Sequence, residues 1–178
     1  MRALFKIILF FIALVIVVTI HLGVLYLLPA PLDNINSIYT FLIIGLFLRP
    51  SGIVVWFAFF AFFIIDILAI SPFGILLFSG TFAMLFVYWL YKFVFTNKSF
   101  ITIMLISFLV LIFYRILYIV GYSSVLFILN KPIPLSQMMV TTIKDAIITT
   151  VVIAVIYMST MYKKDRKLKK TNQYGIIS

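Results

Sequence analysis

The feature that most constrains this chain is a succession of long apolar segments that only short polar groups interrupt. Between Lys6 and Asp33 no residue carries a formal charge, and this stretch is longer than the roughly 20 residues that a helix needs to cross a bilayer. Hydrophobic residues make up 66% of the chain and charged residues 10%. A soluble domain of this size buries only about 70% of its chain surface and could not cover so much apolar area. The sequence therefore predicts an all-α integral membrane protein.

Proline, glycine and polar residues divide the chain into six predicted transmembrane helices, which form a single domain over residues 1–162. Val125 to Leu129 can either prolong the fifth helix or lie at the membrane interface. A secretory signal peptide is the alternative for the first helix. Its apolar run, however, exceeds the roughly 7–15 residues of such a signal, and no small-residue cleavage site follows. The predicted helices cover residues 4–28, 37–48, 52–70, 73–95, 100–120 and 137–162.

The basic residues predict the orientation of these six helices. Cytoplasmic loops of membrane proteins carry an excess of Lys and Arg, and a cytoplasmic N-terminus puts eleven of the fourteen basic residues on that side. Lys131 is then the only basic residue in an outer loop. We therefore expect both termini in the cytoplasm. The cytoplasmic basic residues that precede the C-terminal tail are Arg2, Lys6, Arg49, Lys92 and Lys98.

Residues 163–178 are predicted to form a polar, basic cytoplasmic tail. The tail can attract anionic lipid at about 1 kcal/mol per basic residue, serve as an orientation signal, or dock a cytoplasmic protein partner. Nucleic-acid binding is not expected, because the sequence predicts no soluble module that could contact bases. The basic residues of the tail are Lys163, Lys164, Arg166, Lys167, Lys169 and Lys170.

Five ionisable residues interrupt the predicted spans. A charge at the middle of a membrane helix costs roughly 2.5–3.5 kcal/mol on insertion scales, so such residues are expected to pair or to face a polar interior. A rise of about 1.5 Å per residue places all five at a similar depth in the outer half of the membrane. We predict that they form a buried polar cluster in which Arg115 pairs with Asp66 or Asp145. The cluster can serve helix packing, a ligand or partner site, or a proton or ion path. Its members are His21, Asp66, Arg115, Lys144 and Asp145.

The sequence lacks the residue sets that common membrane enzymes require, so an enzyme is not expected. His21 has no recognisable nucleophile motif nearby, glutamate and cysteine do not occur, and there is no phosphate-binding glycine loop. Asp66 and Asp145 stand in sequence contexts unlike those of intramembrane aspartyl proteases. We expect neither a cofactor nor a metal.

One part of the sequence carries information beyond hydropathy. Residues 48–52 read Leu-Arg-Pro-Ser-Gly, and residues 66–74 read Asp-Ile-Leu-Ala-Ile-Ser-Pro-Phe-Gly. This pattern resembles the rod shape-determining protein MreD family, and the chain length, the six helices and the basic N-terminus also agree with it. The sequence departs from the family in helix 3, where aromatic residues such as Phe59 and Phe63 replace glycines. The matching positions are Arg49, Gly52, Asp66, Ser71, Pro72 and Gly74.

The resemblance implies a non-enzymatic component of the bacterial cell-elongation machinery, located in the cell membrane. MreD-like proteins work with the bitopic protein MreC, the actin-like MreB filaments, and the RodA glycosyltransferase with its transpeptidase partner. Together these proteins organise lateral peptidoglycan synthesis.

The alternative is a substrate-binding subunit of an energy-coupling-factor vitamin transporter, a class with six helices and a fold similar to that of MreD. The ligand pocket of such a subunit opens on the outer side, where the polar cluster is predicted. Its first helix typically carries an Ala-x-x-x-Ala docking pattern, whereas the first helix here has only Ala3 and Ala13.

Overall fold

A computed structural model describes the backbone of residues 2–30, 32–48, 50–95 and 99–174. Within these ranges it describes the side chains except those of Arg2, Ala3, Lys6, Leu25 and residues 161–174. The described residues are 85% helical, and no strand occurs among them. A short 3-10 helix, Leu32–Asn34, lies between the first two α-helices. The α-helices are α1 (Arg2–Leu27), α2 (Ser37–Leu48), α3 (Ile53–Leu68), α4 (Ile75–Phe93), α5 (Phe100–Ile128) and α6 (Leu135–Tyr174).

Four of these helices are long and apolar enough to cross a membrane: they contain the segments Ile7–Val24, Ile75–Phe93, Phe100–Ile128 and Leu135–Thr160. The chain is therefore a helical membrane protein. The helices α2 and α3 have only 12 and 16 residues. At about 1.5 Å per residue they measure roughly 18 and 24 Å, less than the hydrocarbon thickness of about 30 Å. The count of six crossings and the position of the termini remain predictions.

The short helix α2 lies at the centre of the bundle. It packs against α1, α3, α5 and α6, and seven of its twelve residues are buried. A helix that is apolar on all sides is stable where protein surrounds it, and α2 has no charged residue. Its central position explains why it need not be long enough to reach both membrane surfaces.

The helices α3 and α4 pack tightly at Gly80 of α4. A Cβ atom added to Gly80 would lie 2.3 Å from Cδ2 of Phe62 on α3, so only a residue without a side chain fits there. The hydroxyl of Tyr39 on α2 donates a hydrogen bond to the carbonyl oxygen of Gly80 over 3.0 Å. One glycine thus joins three helices at a point where the ring of Phe62 is almost completely buried.

Some helix ends differ from the predicted ones. The helix α5 continues to Ile128, past the predicted end at residue 120, and takes up Gly121 and the serines that follow. There the Ser124 hydroxyl donates to the Val120 carbonyl over 2.8 Å, so a polar side chain is satisfied without a break in the helix. The helix α6 begins at residue 135 and its backbone remains helical to Tyr174. Unbranched lysine and arginine side chains are good helix formers, which explains why the helix passes the predicted boundary at residue 162.

Candidate functional site

A polar cavity of about 280 Å³ opens at the end of the bundle where the α1–α2 and α3–α4 connections lie. Its walls come from α1, the connector after it, and the ends of α3 and α4 that face this connector. The helices α5 and α6 complete it with one polar residue pair. The polar and aromatic residues that line the cavity are His21, Tyr26, Asp33, Asn34, Asn36, Phe62, Tyr114, Arg115 and Asp145.

An ion pair between α5 and α6 forms one wall of the cavity. Nη2 of Arg115 contacts Oδ2 of Asp145, and Asp145 is only 6% exposed. The guanidinium group also lies over the ring of Tyr114, with its carbon 5.8 Å from the ring centroid. Of the two partners predicted for Arg115, the structure selects Asp145. The pair depends on both members, since the buried Asp145 carboxylate would be costly without its partner.

Two buried polar atoms at the cavity have no hydrogen-bond partner within the described residues. They are Nδ1 of His21 and Oδ1 of Asp145. Their side chains are 9% and 6% exposed, and both line the cavity. Because most buried polar atoms in proteins are paired, these two atoms indicate where a molecule in the cavity would find hydrogen-bond partners.

The connector between α1 and α2 supplies a third group of polar atoms. Asn34 donates a hydrogen bond from Nδ2 to Oδ1 of Asp33 over 2.7 Å. The side chain of Asn36 accepts one from the backbone N–H of Tyr39 over 3.2 Å and so caps α2. The backbone N–H of Asn36 in turn donates to the Thr149 hydroxyl on α6 over 3.0 Å. These bonds hold the connector above the bundle, with Asp33 at the cavity.

Asp33, Asn34 and Asn36 are not among the site residues predicted from sequence. The signal was nevertheless present, because three polar side chains within four positions interrupt an otherwise apolar region. Only the fold shows that the connector turns inward over the cavity rather than outward into solvent.

Aromatic rings form the floor of the cavity. The ring centroids of Tyr39, Phe62 and Tyr114 are 5.2 to 5.7 Å apart, distances at which aromatic pairs attract one another. Phe62 and Tyr114 line the cavity, whereas Tyr39 is fully buried and packs against both rings. This part of the lining is therefore aromatic, and the rest combines polar groups with apolar side chains such as Leu22 and Leu76.

Asp66, a predicted member of the polar cluster, does not line the cavity. Its carboxylate accepts hydrogen bonds from the backbone N–H groups of Gly74 and Leu76. Asp66 thereby caps the first turn of α4 from the end of α3, where an acidic group also stabilises the positive end of the helix dipole. At 2% exposure, its charge is compensated by backbone donors instead of by Arg115.

Gly74 is required by its backbone geometry. Its φ angle of 98° lies in the left-handed region, which residues with a Cβ atom rarely adopt. Helix α4 begins at Ile75, after this glycine, and not at the predicted residue 73. Ser71 and Pro72 lie in the turn before it, where the Ser71 hydroxyl oxygen is buried without a partner within the described residues.

The other motif residues are placed as follows. Gly52 is the N-cap of α3 with right-handed backbone angles, φ −61° and ψ −14°, so its conformation does not itself demand glycine. Ser51 caps the same helix by accepting a hydrogen bond from Ile53 N–H over 3.3 Å. Arg49 lies outside the described residues.

Lys144 is the member of the predicted cluster that the fold places elsewhere. Its side chain is exposed on the face of α6 that points away from the bundle. Asp145, the next residue, faces the interior of the bundle. Adjacent residues on a helix point about 100° apart, so the two charges cannot share one cavity. The cavity therefore contains His21, Arg115 and Asp145 from the predicted cluster.

The predicted tail residues 163–174 are helical in backbone, but their side chains lie outside the described part of the structure. Residues 175–178 lie outside it entirely.

Comparison with known proteins yields no match to this chain among protein-family models, curated proteins or solved structures.

Proposed function

We propose that this protein is a non-enzymatic, multi-pass component of the bacterial cell-elongation machinery, similar to MreD. In this role its helices contact an MreC-like bitopic protein and a RodA-like glycosyltransferase with its transpeptidase. The basic C-terminal segment faces MreB-like filaments in the cytoplasm.

The observation that supports the proposal is the contact between Asp66 and Gly74. These two motif residues are eight positions apart in sequence, and the carboxylate of one accepts a hydrogen bond from the backbone of the other. The spacing in the motif thus corresponds to one structural unit, a capped turn between α3 and α4. A turn fixed in this way orients the exposed aromatic face of α3, which includes Trp56 and Phe63, toward a partner helix.

Crosslinking from native membranes tests this proposal. A photo-reactive residue at Trp56, on the exposed face of α3, is compared with one at Val155, on the exposed face of α6. We expect the first position to capture an MreC-like or RodA-like protein and the second to capture it much less. Equal capture at both positions, or capture of neither protein, would contradict the proposal.

The polar cavity favours a second candidate, a substrate-binding subunit of an energy-coupling-factor transporter. Its unpartnered buried atoms, on His21 and Asp145, suit a polar ligand. This candidate predicts a tightly bound small molecule in the purified protein and recovery of transporter ATPase subunits in the same crosslinking experiment. Recovery of elongation proteins without ATPase subunits would reject it.

A further inference from the structure

The polar cavity adjoins a second, apolar recess. This recess has a volume of about 320 Å³ and lies above α2, between α1 and α6. Ile35 lines both spaces, so they lie next to each other at the start of α2. A molecule that occupies both must have one polar and one apolar part.

The apolar recess, here called the acyl groove, has the chemistry of a lipid-chain site. Val17 and Ile20 of α1, with Val152 and Ile156 of α6, form its sides, and α2 forms its base. Ile156 follows Asp145 by eleven positions, which corresponds to about 16 Å along the helix. The acyl groove therefore runs from the polar cavity toward the middle of the membrane, the direction in which a lipid chain lies below its headgroup.

The charge of the polar cavity indicates the headgroup. Arg115 and Asp145 neutralise each other, and Asp33 adds a further carboxylate at the cavity. The unpartnered Oδ1 of Asp145 can only accept hydrogen bonds when the carboxylate is ionised. The described cavity thus has excess negative charge and a free acceptor, which favour a group that is positively charged and donates hydrogen bonds. A primary ammonium group meets both conditions.

The volume of the cavity limits the ligand. At about 280 Å³ it is slightly smaller than the roughly 300–1,000 Å³ of pockets that enclose drug-sized ligands. A headgroup of a few heavy atoms fits within it, whereas the rest of the molecule must lie outside, and the acyl groove provides that space.

We propose that the protein binds an ethanolamine phospholipid at this composite site. The ammonium group lies between Asp33, Asp145 and Nδ1 of His21, and one acyl chain lies in the groove over α2. This binding is separate from the partner contacts of the proposed function, because neither the polar cavity nor the acyl groove includes Trp56 or Phe63 of the exposed face of α3.

Native mass spectrometry of the full chain in detergent tests this proposal. The probe is an equimolar mixture of three phospholipids with identical acyl chains and ethanolamine, choline or glycerol headgroups. The choline headgroup has the same charge as ethanolamine but cannot donate a hydrogen bond from its nitrogen. We expect the ethanolamine lipid to be retained about fivefold to tenfold more than either of the others, because hydrogen bonds to charged groups are among the stronger ones.

Three variants test the polar cavity and the acyl groove separately. Asp33→Asn should abolish the preference for ethanolamine while some lipid remains bound, since the amide keeps the size of the carboxylate but not its charge. Val152→Phe should fill the acyl groove and reduce the retention of all three lipids. Val155→Phe, on the exposed face of the same helix, is the matched control and should leave retention unchanged.

Several outcomes would overturn the proposal. One is equal retention of the three lipids by the parent protein. Another is an equal loss of lipid retention in Val152→Phe and Val155→Phe. Displacement of the lipid by free ethanolamine at similar concentration would identify a soluble amine as the ligand instead. Size-exclusion chromatography shows whether Asp33→Asn is folded. If it is not, the comparison of lipid retention between Val152→Phe and Val155→Phe tests the proposal. None of these results affects the crosslinking test of the proposed function.

Discussion

At the scale of single residues, buried polar groups in this protein are compensated in two different ways. Asp66 is compensated by backbone N–H groups at the start of α4, whereas Asp145 is compensated by the guanidinium of Arg115. The first arrangement fixes a turn between sequential helices, and the second joins α5 to α6. The two aspartates therefore have separate roles, although sequence placed them in one cluster.

The capping role of Asp66 predicts a graded loss of stability. Asp66→Ala removes both acceptors and should lower the free energy of unfolding by about 1–2 kcal/mol, as for loss of other helix caps. Asp66→Asn keeps one carbonyl acceptor and should lose less. Gly74→Ala should cost about 1–3 kcal/mol through its left-handed backbone alone, since no atom lies within 4 Å of an added Cβ. Thermal unfolding in detergent measures all three, and an Asp66→Ala variant as stable as the parent protein would refute the capping role.

The ion pair predicts strong coupling between Arg115 and Asp145. Arg115→Leu leaves a buried carboxylate without its partner and should cost up to about 3 kcal/mol, the lower end for breaking such a pair. The lower end applies because 28% of the arginine side chain is exposed. The double variant Arg115→Leu with Asp145→Leu should recover most of that loss. A double variant whose loss equals the sum of the single ones would show that the two residues act independently.

At the scale of elements, the bundle depends on close contact between helices that the sequence does not mark individually. The α3–α4 contact requires glycine at position 80 because the ring of Phe62 occupies the adjacent space. A large aromatic ring on α3 is thus accompanied by a glycine in the facing helix. A large side chain on α3 and none on α4 can fill the same volume between the two axes.

This packing predicts opposite effects for two glycine substitutions in helices. Gly80→Ala should destabilise the protein by about 1–3 kcal/mol, the usual cost of overpacking. Gly45→Ala in α2 is the matched control, because no atom lies within 4 Å of its added Cβ. It should be neutral, or stabilising by up to about 1 kcal/mol through helix propensity. Equal effects of the two substitutions on the unfolding temperature would show that the α3–α4 contact is looser than described.

At the scale of the whole molecule, the short helices α2 and α3 decide the topology. If both cross the membrane, and the N-terminus is cytoplasmic as predicted, the connection between them lies on the cytoplasmic side. If neither does, that connection stays on the same side as the α1–α2 connector. The central position of α2 favours the first arrangement, because a helix enclosed by other helices need not match the bilayer thickness.

The topology can be measured directly because the chain has no cysteine. We expect Ser51→Cys, in the α2–α3 connection, to react with an impermeant thiol reagent only after the membrane is permeabilised. Asn130→Cys, between α5 and α6, should react in intact cells. Labelling of both positions in intact cells would reduce the number of crossings to four, since only the α2–α3 connection changes sides between the two topologies.

The sequence by itself determined the class of this protein and the approximate position of each helix. In lipid, backbone hydrogen bonds must be satisfied within each segment. Long apolar runs separated by proline, glycine and polar residues are therefore expected to form helices. Helix ends were less well predicted, as at Ile128 and Ile75. At the first, Ser124 is hydrogen-bonded within its own helix; at the second, Gly74 just before the helix donates to the Asp66 carboxylate eight residues earlier.

Only the tertiary structure decided which buried polar groups meet. Depth along a helix can be counted from sequence, but the direction of a side chain relative to its neighbours depends on how the helices are rotated and packed. In the folded bundle Asp145 faces Arg115, whereas Lys144 points away from the bundle. Asp66 accepts hydrogen bonds from the backbone of α4, and Asp33 lies at the cavity. The candidate site exists because five α-helices and the α1–α2 connector bring these groups to one end of the bundle, which no single segment specifies.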